Sequence, residues 1–137
     1  MVDNIDIIEV IKLYRKFSKY DSYTDKEIAK SIIPSLSLSQ YTVFKNKKNL
    51  KVYGFVNWAF MNNENKKLFL STGIIDDFNW NTGSNLIFIE LVATKNIKQI
   101  FDWSVKKAST FNNIEKEFNW IRVNNNKVKR INTKQIR

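Results

Sequence analysis

The chain contains no cysteine and no histidine. That double absence excludes disulfides, thiolate nucleophiles, zinc-finger spacings and every histidine-based triad or metal site. Only one proline and three glycines are present, against 43% apolar and 14% aromatic residues, which is the profile of a packed globular chain and not of a disordered one. No apolar run approaches the roughly 20 residues a membrane span needs, and Met1-Val2-Asp3-Asn4 is not followed by a signal-like apolar segment, so a soluble, cytoplasmic protein is expected. The 137 residues suit a single domain over 1–126 with a basic, solvated tail over 127–137. The net charge of +10 favours acidic partners: nucleic acid, anionic lipid or an acidic protein. No motif supports nucleic-acid binding, which is the weakest of these.

The stretch around which the chain is organised is Ser84 to Ala93, S-N-L-I-F-I-E-L-V-A. It follows the turn signal Asn81-Thr82-Gly83 and reads as a central strand buried on both faces. Glu90 lies within this run, where an unpaired charge is costly. One reading is a carboxylate turned out of an edge strand or paired with a nearby Lys or Arg, the other a perturbed functional carboxylate.

Before it, residues 4–17 carry Ile7, Ile8, Ile11, Tyr14 and Phe17 at helical spacing with Asn4 as N-cap, predicting an amphipathic helix. Thr24-Asp25-Lys26-Glu27 fits a capping box and opens a second helix expected to stop at Pro34, so Tyr20 lies on the connection. Residues 40–45 and 50–57 flank N-K-K-N as a hairpin, and 62–71 reads as a short helix that Asn62 or Asn63 can cap, or as the start of another strand. Residues 96–110 repeat apolar positions at helical spacing, and a strand returns over 118–123. This order predicts an α+β fold, a mostly antiparallel sheet flanked by helices with one strand-helix-strand crossover, of the N-acetyltransferase-like kind.

Ile33-Pro34-Ser35-Leu36 with Gln40-Tyr41, Tyr53 to Ala59, Glu64-Asn65, Asp77 with Trp80 to Gly83, Phe88-Ile89-Glu90 and Ile121-Arg122-Val123 together resemble the RTX toxin-activating lysine acyltransferases. The resemblance implies an acyl transfer whose donor is an acyl carrier protein or another activated acyl group, with no tightly bound cofactor. It places the family's catalytic histidine on Tyr20 and its aspartate on Glu90, and substrate-binding residues at Asn57, Trp58, Trp80 and Arg122. Arg122 is also the expected cationic partner of Glu90. Glutamate keeps a carboxylate, but a phenol at its usual pKa of about 10 is not a base at neutral pH. The resemblance therefore implies action on a bacterial toxin or microcin peptide together with an acidic carrier or second maturation protein, as a hetero-oligomer or dimer. The alternative is a non-catalytic subunit or chaperone that holds the toxin peptide.

Overall fold

The structure, a computed structural model, describes residues 4–124 and 127–136, with side chains for 6–120 and 132–136. Four helices, α1 (Asn4–Tyr14), α2 (Asp25–Ser37), α3 (Asn63–Thr72) and α4 (Ile97–Ala108), accompany five strands, β1 (Tyr41–Lys45), β2 (Val52–Met61), β3 (Asn85–Ala93), β4 (Glu117–Asn124) and β5 (Lys127–Gln135). The strands lie in one sheet in chain order, β1-β2-β3-β4-β5. β1 pairs antiparallel with β2 and β4 with β5, while β3 and β4 run parallel, joined by the α4 crossover. The mostly antiparallel α+β architecture expected from the sequence is the one observed.

Two compact units divide the chain: Met1–Asn57 with Glu90–Phe101, and Trp58–Ile89 with Asp102–Arg137. In the first unit, α1 buries Val10, Leu13 and Tyr14, with Ile7, Ile11 and Phe17 packed on the flanks. Ile8, expected on this face, is 52% exposed. At about 100° per residue the stripe is centred on positions 10 and 14, which turns position 8 away from it. The core of this unit is completed by Ile28, Ile32 and Leu36 of α2, Val52 and Phe55 of β2 and Val92 of β3.

The capping box of α2 is formed as read: the Thr24 hydroxyl accepts from the Glu27 amide at 3.1 Å, and the Glu27 carboxylate accepts from the Thr24 amide at 3.0 Å. These bonds satisfy two of the orphan donors of a helix start. The helix does not stop at Pro34 but continues to Ser37, because Ser35 and Leu36 are buried and repay the one backbone bond that proline removes. The Pro34 carbonyl still accepts from the Leu38 amide at 3.2 Å.

In the second unit, the Asn62 side chain caps α3 by accepting from the Asn65 amide at 2.8 Å, and Gly73 ends the helix at φ 73°. Ala59, Met61, Phe69, Trp80 and Ile87 form its core. Glycine is required at position 83, where a Cβ would lie 2.6 Å from the Asn62 backbone. The expected solvated tail differs from the structure: residues 127–135 form β5, paired with β4 from Glu117↔Gln135 to Asn124↔Lys127. Val128, Ile131 and Thr133 give this basic segment enough β-branched character to extend the sheet. Among the described residues no helix is long and apolar enough to cross a membrane.

Candidate active site

Glu90 lies on β3, the middle strand of the five, and is half-buried. Its backbone is held by a side chain of the neighbouring strand. The Glu90 amide donates to Asn57 Oδ1 at 2.8 Å, and Asn57 Nδ2 donates to Ser35 Oγ at 3.0 Å. Ser35 Oγ in turn donates to the Ile32 carbonyl at 2.8 Å. Asn57 and Ser35 are fully buried at 0% exposure, so the bond between them operates without competition from water. Asn57, expected as a substrate-binding residue, holds the Glu90 backbone through its side chain. Asn57→Ala is expected to lose about 2 kcal/mol, since it leaves the Glu90 amide without its acceptor and the Ser35 oxygen without its donor. A urea unfolding midpoint measured beside wild type checks it.

Tyr20 ends a short 3-10 turn, Ser18–Tyr20, between α1 and α2. Arg15 holds this connection in shape. Its guanidinium donates to the Tyr20 carbonyl at 3.0 Å, to the Tyr23 carbonyl at 2.5 Å and to Asp25 at 2.8 Å. The Tyr20 ring packs against Tyr14 with centroids 4.7 Å apart, and Lys19 Nζ sits 5.0 Å over it. Nothing in the pattern of the sequence singles out Arg15, because a solvent-facing cation at a helix end looks the same whether or not it binds three acceptors.

Burial raises the Glu90 carboxyl from its ordinary 4.5 to about 7, and the ammonium of Lys19 offsets part of this. Burial also raises the Tyr20 hydroxyl, and the negative charge of Glu90 and then Tyr23 add to it. Tyr14 is raised well above the usual phenol for the same first reason, with Glu90 second and Tyr20 third. The charge of Glu90 thus acts on the Tyr20 hydroxyl. Both phenols keep their protons at neutral pH and can only donate hydrogen bonds or accept weakly. Glu90, with a pKa near ambient pH, can both take and return a proton.

The remaining expected site residues are placed differently. Trp58 is 3% exposed and its ring packs among Phe88, Trp103 and Phe111 at centroid distances of 6.1, 6.2 and 5.9 Å. Trp80 is 1% exposed in the core around Met61, Phe69 and Ile87. Both rings are buried in the core, where large apolar faces drive them. Arg122 lies on β4, opposite Arg130, and its side chain falls outside the described residues. Among the described residues, Lys19 is the cation that acts on Glu90. No group of three or more His, Cys, Asp or Glu side chains suited to a metal ion occurs among the described residues.

The model of the RTX toxin acyltransferase family (HlyC) matches residues 4–135. The chain belongs to this family. Among solved structures, it is similar to the GphF GNAT-like decarboxylase in complex with isobutyryl-CoA, with a TM-score of 0.64 and 11% identity. The match covers 90% of this chain and 65% of that one, so the RTX toxin acyltransferase member spans about two-thirds of that structure's length. At this identity the likeness establishes the N-acetyltransferase-like fold. A comparison with curated proteins gives no match.

Proposed function

We propose that this RTX toxin acyltransferase family member takes part in maturing a bacterial toxin or microcin peptide, in the cytoplasm and together with a partner protein. The observation that carries the reading is the Glu90 carboxyl, tuned to about 7 on a backbone pinned by Asn57. In the proposed step, an acceptor nitrogen attacks the carbonyl carbon of an activated acyl thioester, supplied by an acyl carrier protein. A C–N bond forms, Glu90 takes the proton from nitrogen, and the Tyr20 hydroxyl donates to the developing oxyanion. The C–S bond then breaks, and the departing sulfur receives the proton from Glu90. With Tyr20 where the family resemblance puts a histidine, proton transfer falls to Glu90 alone.

A non-catalytic, peptide-holding subunit is the second reading. It is favoured by exposed apolar side chains in the second unit: Leu68 at 52%, Ile74 at 68% and Phe78 at 91%. Side chains of this kind support a protein interface under either reading. Intact mass spectrometry of the peptide, incubated with an acyl donor and this protein, with and without any protein that copurifies with it, tests the proposal. An added acyl mass that requires both proteins is expected. Unmodified peptide bound stoichiometrically to the chain would establish the holding subunit instead.

A further inference from the structure

The turn between β1 and β2 presents an apolar side chain among cations. Four of the seven residues from Lys45 to Lys51 are lysine, and no aspartate or glutamate occurs between Glu27 and Glu64. Lys95 joins them from just beyond β3: the Thr94 amide donates to the Tyr53 carbonyl at 2.9 Å, and Lys95 Nζ sits 5.0 Å over the Tyr53 ring. Lys45 lies 4.0 Å from Asp6, and among the described residues Lys47, Lys48, Lys51 and Lys95 have no ion-pair partner. Between Lys48 and Lys51, Leu50 is 70% exposed and held at φ 59°, a left-handed conformation that is unfavourable for leucine and open to glycine or asparagine. Hydrogen bonds fix this turn. The Asn46 and Asn49 side chains accept from the Lys48 and Lys51 amides, each at 2.9 Å, and the Leu50 amide donates to the Asn46 carbonyl at 2.8 Å. Folding gains nothing from a strained leucine turned to solvent, whereas a partner that covers it does.

We infer that this turn is the docking surface for an acidic protein, the acyl carrier that supplies the thioester; the carrier's part in this rests on the acyl-transfer reading of Glu90. The lysines attract and orient the carboxylates of the carrier, and Leu50 seats in an apolar gap at the middle of the contact. Nucleic acid fits the turn less well, because residues 45–51 carry no aromatic ring on which a base would stack. An anionic bilayer also fits less well, since interfacial binding scales with buried apolar area and one leucine supplies little. The turn is placed for delivery. Leu50 and Glu90 belong to the same unit, and Asn57, whose side chain accepts from the Glu90 amide, lies seven residues along the chain from Leu50. Those residues span at most about 23 Å of extended chain. This separation suits a carrier that presents its thioester on a long flexible arm, with its own body held away from the reacting groups.

Calorimetric titration of the whole chain with a purified, acyl-loaded acyl carrier protein, at low and at high salt, tests the inference. Leu50→Asn removes the apolar side chain and suits the left-handed turn, so its thermal midpoint should hold or rise while the dissociation constant increases about tenfold. Lys47→Glu combined with Lys48→Glu should weaken binding at least as much and flatten its dependence on salt. In peptide modification, the ratio of turnover with the carrier to turnover with a small acyl-N-acetylcysteamine thioester, which has no protein surface, should fall by the same factor in both variants. Wild-type affinity for the carrier in both variants, or no binding of the carrier to the wild-type chain, overturns the inference. So does binding of a DNA duplex or of phosphatidylserine vesicles that the variants abolish while carrier affinity is unchanged, which would assign the turn to nucleic acid or lipid. Carrier binding that the variants weaken, with no acyl mass appearing on the peptide, would leave the docking surface standing and sink the acyl-transfer role of Glu90.

Discussion

Glu90→Gln is expected to lower peptide modification by about 10²- to 10⁴-fold, the range for removing a general acid-base, and at the same time to stabilise the fold at alkaline pH. The two effects share one cause. The folded-state pKa of about 7 lies above the ordinary 4.5, so the folded chain holds this proton more tightly than the unfolded chain does. Between about pH 4.5 and 7 the folded state therefore binds more protons, and stability falls as pH rises through that window. By pH 8 the ionised carboxyl costs about 3 kcal/mol, which glutamine does not incur. Denaturation midpoints of the two proteins should nearly coincide at pH 4 and separate by pH 8, with the variant the more stable. A variant that is inactive but equally stable at both pH values would show that Glu90 is solvated and that burial is not what tunes it.

Trp80→Ala should be the most damaging single truncation in the second unit. Trp80 is among the largest fully buried side chains, it packs on Met61, Phe69 and Ile87, and its carbonyl accepts from the Phe60 amide at 3.0 Å. Replacing so large a core side chain by alanine costs about 3–5 kcal/mol, against a total stability of about 5–15 kcal/mol for a domain. Much of the protein should then be unfolded at 37 °C, read as lost near-ultraviolet dichroism and a thermal midpoint lowered by more than 10 °C. Trp80→Phe should recover most of both. If Trp80 instead held the substrate, the alanine variant would fold normally and lose only peptide binding.

Local chemistry was legible wherever a short pattern carries its own mechanism. Thr24 with Glu27 announces a helix start, Asn62 a cap, and the alternating run into β2 a hairpin, because each uses bonds made within a few residues. The apolar run around Glu90 declared a buried strand and an anomaly within it, and the structure retains both. What could not be read depends on distant partners. The passage of α2 through Pro34 is decided by the burial of Ser35 and Leu36, which no local preference encodes. The roles of Ser35 and Asn57 exist only once β2 and α2 meet, so the site could be located at Glu90 without its supports being found. Tryptophan is ambiguous for a related reason: a ring suited to a peptide is equally suited to a core, and composition does not separate them.

β5 alters how the charge of this chain is to be understood. It is an outer strand, and four of its nine residues are lysine or arginine. An outer strand offers a row of unsatisfied amides and carbonyls to any other extended chain, and closely spaced cations oppose edge-to-edge association of two copies by mutual repulsion. Part of the +10 balance therefore has a use within the protein's own solution behaviour, as insurance against sheet-to-sheet aggregation, and only the remainder counts toward attraction of an acidic partner.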